Sequence, residues 1–259
     1  MSESPHPAIL EMRAVTVASM RDASFKVLEA VNWSVRPGEF WVIGGPQYSG
    51  KSDLLMLAAG LMNPAEGSCR VFGCETQSLG EAHLAERLRV GFVFQGGQLF
   101  SRMTIAENVA LPLCYQKNLT AEEAASAVGS LLEVMELTPF AEAAPSSVAA
   151  VWRHRAALAR ALALQPELLL LDNPLAGLST RHCQWLLQFL DQLWRGQALA
   201  GGRPMTLAVT TDDLRPWQNA QRQFAVLHEK KFVPLGRWTD IENTDHPTVK
   251  ELMSELVKT

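Results

Sequence analysis

The sequence contains no run of about 18 consecutive apolar residues, the length that suggests a membrane-spanning helix, so we expect no segment to cross a bilayer. The polar stretch from Met1 to Pro7 carries no signal-peptide core. Basic residues are not in excess either, because the formal net charge is -4, and this balance argues against a nucleic-acid partner. A function at a membrane would therefore require a partner that is itself embedded there.

Cysteine is also scarce, and the four cysteines show no metal-ligand spacing: Cys69, Cys74, Cys114 and Cys183. The first two are too far apart for a CxxC pair, so we expect all four to be reduced, buried thiols of a cytosolic protein.

Internal repeats and low-complexity segments are absent from the sequence. Hydrophobic residues make up 47% of the 259 residues and charged residues 19%, which suits one large α/β domain or a core with a small inserted subdomain.

Strands and helices alternate along the chain, a pattern that predicts a mainly parallel sheet. Short strands are expected over residues 8–40 around a turn at 20–24, and a helix is expected from Lys51 to about Leu61. Later elements are strands near 70–72, 90–94, 168–171 and 205–210, a hairpin over 224–235, and helices near 81–89, 148–164, 181–194 and 247–256. Thr104 and Thr120 should open two helices, the second with a capping box.

A glycine-rich loop follows the apolar strand Phe40–Ile43 and fits the pattern G-x-x-x-x-G-K-[ST]. In such a loop the backbone N–H groups and the helix N-terminus hold phosphates, the lysine reaches the β- and γ-phosphates, and the serine ligates Mg²⁺. The alternative is a glycine turn with a surface lysine. The predicted nucleotide-binding residues are Gly45, Pro46, Gln47, Tyr48, Ser49, Gly50, Lys51, Ser52 and Asp53.

Four leucines, Leu168 to Leu171, form a predicted buried strand that ends in Asp172. In P-loop NTPases an aspartate at this point holds the magnesium shell. The other interpretation is an aspartate that caps the next helix. With the loop granted, we expect Mg²⁺ to be held by Ser52 and Asp172.

Several motifs in the right order resemble the ATP-binding subunits of ABC transporters over nearly the whole chain: Val27–Val31, Phe94-Gln95, Arg155–Leu162 and Pro166–Leu178. The resemblance implies an α/β P-loop NTPase fold with a RecA-like core of the ABC ATPase type, an antiparallel β subdomain and an inserted α-helical subdomain. The core would comprise residues 1–95 and 153–259, and the helical insertion residues 96–152.

The resemblance also implies cofactors and partners. ATP and Mg²⁺ would bind between two such subunits, identical or different, with Gln95 contributing to the metal and catalytic site. The helical insertion would face an integral membrane permease, through Leu99, Phe100 and Met103 among others. The protein would then be cytoplasmic and peripheral on the inner face of the cell membrane.

Three segments look most like the Mla/Mce-type lipid-transport ATPases within this superfamily: residues 94–100, 107–113 and 245–252. The helical region that holds two of these segments is shared by several importers and lipoprotein exporters. A lipid-related cargo is the expectation that follows.

The sequence departs from the family where the family performs its chemistry. The signature segment, Leu-Ser-Gly-Gly-Gln in the family, falls on Val148–Trp152. The catalytic glutamate position holds Asn173, the D-loop aspartate position holds Ser179, and the switch histidine position holds Thr211. An amide cannot take a proton from water at neutral pH, so hydrolysis is expected to be very weak.

The phosphate loop departs as well. Tyr48 occupies a position that is usually glycine, and Asp53 places a negative charge in the first turn of the helix, where it would repel phosphates. No aromatic residue clearly occupies the adenine-stacking position, to which Met20 or Arg21 lies nearest and Phe25 next.

Each change alone is compatible with ordinary drift, but together they leave two interpretations. The chain is either a transport subunit that binds ATP and hydrolyses it slowly or through an intact partner, or a pseudo-ATPase that acts as a structural or regulatory subunit of a membrane complex. A soluble ABC protein for cluster assembly or translation is a weaker alternative. Translation factors of this superfamily carry two such domains, and this chain has room for one.

Overall fold

The computed structural model of the protein describes residues 7–76, 83–197 and 202–254. Its strands are β1 (Leu10–Ala18), β2 (Lys26–Val35), β3 (Phe40–Gly44), β4 (Glu66–Val71), β5 (Cys74–Glu75), β6 (Val90–Val93), β7 (Leu168–Leu171), β8 (Thr206–Thr211), β9 (Gln223–His228) and β10 (Lys231–Gly236). Its helices are α1 (Lys51–Ala58), α2 (Leu84–Arg87), α3 (Ile105–Lys117), α4 (Ala121–Val134), α5 (Ala150–Leu162), α6 (Thr180–Trp194), α7 (Trp238–Glu242) and α8 (Pro247–Met253).

The strands form two sheets. An antiparallel sheet has the order β2-β1-β4-β5, and a six-stranded sheet has the order β10-β9-β3-β8-β7-β6. In the larger sheet β9, β3, β8, β7 and β6 run parallel and only β10 is antiparallel. The expected α/β fold with an antiparallel β part is confirmed.

The carboxyl ends of the central parallel strands meet at one edge of the larger sheet. Gly44 pairs in register with Thr211, and Leu171 pairs with Val209. The four leucines of β7 are buried on both faces, which is why this strand reads as a continuous apolar run. The loops that leave β3, β7 and β8 therefore start side by side.

The region between β6 and β7 is mostly helical, and helices α3, α4 and α5 pack on one another. Thr104 and Thr120 each form a capping box, with Glu107 and Glu123, as the sequence indicated for the second. Helix α5 begins at Ala150 and crosses the expected boundary between residues 152 and 153. No helix in the described residues is long and apolar enough to cross a membrane.

Several expected element bounds were wrong. Helix α1 ends at Ala58 and not near Leu61, because Gly60 adopts a left-handed φ of 69° and the N–H of Leu61 turns back to the carbonyl of Met56. Helix α2 is shorter than the helix expected over residues 81–89. Residues 81 and 82 of that range lie outside the described residues, and so do residues 255 and 256 of the helix expected over 247–256.

The four cysteine thiols are free, as expected, but only Cys69 is buried. This burial raises the pKa of the Cys69 thiol to about 12.

Asn108, fully buried on α3, holds the segment that precedes this helix. Its Oδ1 accepts from the Phe100 N–H (2.8 Å), and its Nδ2 donates to the carbonyls of Phe100 (3.1 Å), Met103 (3.3 Å) and Thr104 (2.9 Å). One amide side chain thus fixes the conformation of a whole turn.

Asn108→Ala is therefore expected to lower the free energy of unfolding by about 2–3 kcal/mol, because it leaves backbone groups of residues 100–104 without their partner. Urea unfolding followed by circular dichroism measures the change. Asn243→Ala is the control, since Asn243 is exposed and donates only to the Thr239 carbonyl. Equal losses in the two variants would contradict the assignment.

Candidate functional site

The loop between β3 and α1 requires glycine at two positions. Gly50 caps α1 with a left-handed φ of 90°, and a Cβ there would lie 3.2 Å from the Val27 side chain. A Cβ on Gly45 would lie 2.5 Å from the Ser49 Oγ. No side chain caps the N-terminus of α1, so its first N–H groups point into the loop without a side-chain acceptor. Such a turn is suited to an anion.

Lys51 is buried behind this loop. Its Nζ donates to the carbonyls of Gly45 (2.6 Å) and Pro46 (2.7 Å). Burial lowers the pKa of Lys51, and the nearby carboxylates of Asp212 and Asp172 act in the opposite direction. The ammonium group that is predicted to bind phosphate therefore lies at the loop and donates to carbonyls of the loop itself.

Asp172 joins the loop to the parallel sheet. The Ser52 hydroxyl donates to one carboxylate oxygen of Asp172 (2.6 Å), and the Thr210 hydroxyl donates to the other (2.8 Å). A hydroxyl and a carboxylate side by side are the hard oxygen donors that Mg²⁺ prefers. The residues present thus fit this ion, which Ser52 and Asp172 would hold.

A cleft of about 1050 Å³ brings most of the predicted residues together. Its lining includes seven of the nine loop residues, together with Gln95, Asp172, Asn173 and Thr211, and also Met20, Arg21 and Phe25. Gly45 is buried and Pro46 lines a neighbouring pocket, so these two shape the loop from behind. Gln95 is exposed at the cleft. All three candidates for contact with a base, Met20, Arg21 and Phe25, thus line the cleft.

Asn173 lies directly after Asp172 with a left-handed φ of 45°. Its backbone N–H donates to the Thr210 hydroxyl (3.0 Å), and its side-chain amide lies 3.5 Å from the Asp212 carboxylate. No role was predicted for Thr210 or for Asp212 from the sequence. The Thr210 hydroxyl, in the buried strand β8, could have indicated a structural role, since buried polar groups require hydrogen-bond partners.

Thr211 is placed at the cleft, but its hydroxyl is already engaged. It donates to the Asp213 carbonyl (2.8 Å) and accepts from the Asp213 N–H (3.1 Å) and from the Trp217 indole (3.2 Å). All of these partners belong to the segment that follows β8. The side chain therefore stabilises this turn and is not directed at a ligand.

The segment Val148–Trp152 forms the start of α5. Ala149 is the N-cap residue and offers no side-chain acceptor to the helix N–H groups. Trp152 packs on Phe140, with ring centroids 4.9 Å apart, and lies edge to face with His182 at 6.2 Å. Its indole is used for packing within the chain.

His182 connects this segment to the loop after β7. The Ser179 hydroxyl lies 2.9 Å from His182 Nδ1, and the ring of His182 faces Trp152. Nearby, burial lowers the pKa of His154, with the Arg153 charge acting in the same direction and a hydrogen bond to the Pro174 backbone opposing both. His182 thus joins Ser179 to Trp152 within the chain.

Two unusual residues of the loop have local consequences. Tyr48 adopts a left-handed φ of 62° and its side chain is 91% exposed. The Asp53 carboxylate accepts a hydrogen bond from the Met20 N–H (2.8 Å). Asp53 therefore fixes the segment between β1 and β2 against α1, a role that the sequence did not indicate.

A glycine loop between a parallel strand and a helix, with a lysine, a serine and a facing aspartate, defines a P-loop nucleotide-binding domain. The model of the family described as "ABC transporter" matches residues 28–176. A relative from Chlorella vulgaris, "Probable sulfate/thiosulfate import ATP-binding protein CysA", is 35% identical over 230 residues, which cover 89% of this chain and 92% of that protein. The chain belongs to the ABC transporter family.

Other relatives are longer than this chain. The "Sulfate/thiosulfate import ATP-binding protein CysA" of Synechococcus elongatus is 32% identical, and the match covers 93% of this chain but 66% of that protein. The Mycolicibacterium paratuberculosis protein of the same name is 34% identical, with 94% and 64% covered. The chain thus spans about two thirds of the length of these two relatives.

Solved structures agree on the fold. A dimeric post-hydrolysis structure of the ATP-binding cassette MJ0796, bound to ADP and Pi, has a TM-score of 0.74 and 29% identity, covering 86% of this chain and 95% of that one. The cbiO1 protein of Clostridium perfringens has a TM-score of 0.76 at 21% identity, covering 95% and 93%, and supports the fold alone. The relatives described here are named for sulfate or thiosulfate import, so the lipid-transport subfamily gains no support from them.

Tyr48→Gly is expected to raise the free energy of unfolding by about 0.5–1 kcal/mol, because glycine adopts a left-handed φ without strain. Tyr115→Gly is the matched control. Tyr115 lies within α3 and is 75% exposed, so glycine there should lower stability by about 1 kcal/mol. Urea unfolding measures both, and a loss of stability in Tyr48→Gly would contradict the strain argument.

Ala149→Ser is expected to raise the free energy of unfolding by about 1 kcal/mol, since a serine hydroxyl can accept from an N–H group in the first turn of α5. Thermal and urea unfolding report the change. Ala150→Ser, one residue later and equally exposed, lies inside the helix and should give no such gain. Matching gains in both variants would show that the effect is not capping.

Proposed function

We propose that the chain is the ATP-binding subunit of an ABC-type transport complex and that it binds Mg-ATP through residues 45–53 with very slow hydrolysis. The observation that carries the proposal is the cluster of Lys51, Ser52 and Asp172, whose hydrogen bonds assemble a phosphate and metal site at one edge of the sheet. Bound Mg²⁺ would neutralise charge on the phosphates.

Slow hydrolysis follows from what surrounds that cluster. Asn173 supplies an amide where a proton acceptor is needed, and the Thr211 hydroxyl is engaged with Asp213 and Trp217. Removing one proton-transfer group typically costs about 10²- to 10⁴-fold in rate. The altered signature would act at the partner's site in a sandwich dimer, so a homodimer would carry defects in both of its sites.

The partners that we propose are an integral membrane permease and a second ABC ATPase subunit, with this chain on the inner face of the membrane. The helical part, residues 96–152, would contact the permease. Phe100 is 56% exposed and supports this assignment, whereas Leu99 packs against the core and Met103 is half-buried. Of the three residues expected to contact the permease, only Phe100 is therefore fully exposed.

For the cargo, the names of the relatives favour a small oxyanion such as sulfate or thiosulfate over a lipid. The cleft of this chain is built around a phosphate loop, so we assign cargo selection to the permease.

The second candidate is a pseudo-ATPase that serves as a structural or regulatory subunit. The engaged hydroxyl of Thr211 and the packed indole of Trp152 favour it, because both positions have been converted to roles within the fold. The two candidates differ in whether nucleotide turnover drives the complex.

Calorimetry with Mg-ATP on the purified chain, with phosphate release measured on the same sample, tests the proposal. We expect binding that Lys51→Ala weakens at least about 10-fold, since it removes the phosphate-binding cation. Lys117→Ala is the matched control, because Lys117 is an exposed lysine at the end of α3.

Each outcome separates the candidates. Binding that depends on Lys51, without phosphate release, supports a nucleotide-binding subunit that does not turn over by itself. Absence of binding at millimolar ATP contradicts the ATP-binding proposal. Rapid phosphate release that Lys51→Ala abolishes contradicts the assignment of Asn173 and Thr211 as impairing substitutions.

A further inference from the structure

Three side chains of different chemistry converge outside the nucleotide cleft. Cys74 belongs to β5, His83 directly precedes α2, and Glu86 lies within α2. The Sγ of Cys74 lies 3.6 Å from Nδ1 of His83, and Oε2 of Glu86 lies 3.8 Å from the same nitrogen. The three donor atoms are all within 4.8 Å of one another, and no other such group of three occurs in the described residues.

We propose that Cys74, His83 and Glu86 bind a divalent cation of borderline softness, with Zn²⁺ as the best match. Thiolate sulfur, imidazole nitrogen and carboxylate oxygen are the three donor types that Zn²⁺ takes in proteins. Mg²⁺ and Ca²⁺ prefer sites made of oxygen alone, so the thiol and the imidazole select against them. The site is therefore chemically distinct from the oxygen site at Ser52 and Asp172.

One edge of the group already fits a tetrahedral ion. Bonds of about 2.3 Å to sulfur and about 2.0–2.1 Å to nitrogen place those two ligand atoms about 3.5 Å apart. The 3.6 Å between Cys74 and His83 matches this edge. The Glu86 carboxylate lies 3.8 Å from His83 and within 4.8 Å of Cys74, so it would have to move closer, by a few tenths of an ångström toward the nitrogen and by up to about 1 Å toward the sulfur. A half-exposed side chain on a helix surface can make that movement by rotation, and solvent can complete the coordination.

Simple packing explains the group less well. A neutral imidazole has one proton to offer at Nδ1, yet a thiol and a carboxylate both face that nitrogen. The carboxylate distance is too long for a hydrogen bond. Three potential ligand atoms around one small gap are the arrangement that a shared cation would satisfy.

Arg89 is a neighbouring cation, and its hydrogen bonds go to Glu167. The two form a two-pronged pair at 2.7 and 2.9 Å, which is the main cause of the raised pKa of Arg89, and the nearby Glu86 and Cys74 act in the same direction. Glu75 pairs with Arg70 and not with the group. The three donors therefore remain available to an ion, which would join the edge strand β5 to the segment that leads into β6.

Titration of the full chain with Co²⁺, in a phosphine reductant and with excess Mg²⁺ to fill oxygen sites, tests the proposal. We expect one equivalent to bind with the near-ultraviolet charge-transfer band of a cobalt thiolate. Cys74→Ser should abolish the band, and His83→Gln and Glu86→Gln should weaken binding at least about 10-fold. Cys114→Ser is the matched control and should leave the band unchanged. A band that survives Cys74→Ser would overturn the proposal.

Thiol protection gives a second test on the unmodified chain. Zn²⁺ should slow alkylation of Cys74 at least about 10-fold, because the metal-bound thiolate is a poorer nucleophile, and should leave Cys114 unaffected. Peptide mass spectrometry resolves the two sites. Equal alkylation of Cys74 with and without Zn²⁺ would also overturn the proposal, whatever the folding of the variants.

Discussion

Both oxygens of the Asp172 carboxylate accept hydrogen bonds, one from Ser52 on α1 and the other from Thr210 on β8. Hydrogen bonds to a charged group contribute about 1.5–3 kcal/mol each, and these two tie the phosphate loop to the ends of two parallel strands. The same Thr210 hydroxyl accepts from the backbone of Asn173. These contacts fix the phosphate loop, Asp172 and Asn173 relative to one another.

Three side chains at predicted site positions form contacts that stabilise the fold. Thr211 closes the turn after β8, Trp152 packs at the start of α5, and Asp53 anchors the segment between β1 and β2. Each has partners within its own chain, through which it contributes to stability. A nucleotide-binding fold with slow turnover is the outcome that we propose on these grounds.

The start of α5 is held by the packing of aromatic side chains around Arg155. The buried Arg155 guanidinium lies 3.6 Å from the centroid of the Trp185 ring and donates to Glu136 and to the Met135 carbonyl. Trp152 extends the same aromatic group toward His182. The start of α5 is therefore held by side-chain packing even though Ala149 gives it no cap.

The sequence alone determined the parts of this protein that depend on local pattern. The leucines of β7, the capping boxes at Thr104 and Thr120, and the loop from Gly45 to Ser52 are encoded by neighbouring residues, and all are present in the structure.

Only the tertiary structure decided which distant groups meet. Thr210 reaches Asp172 across 38 positions, and Cys74 meets His83 and Glu86 although no cysteine spacing indicated a metal site. Spacing rules record ligands that lie on one local element, whereas these contacts arise where strands and helices from separate segments pack together. The partners of a side chain depend on the whole fold, and a one-dimensional pattern does not contain them.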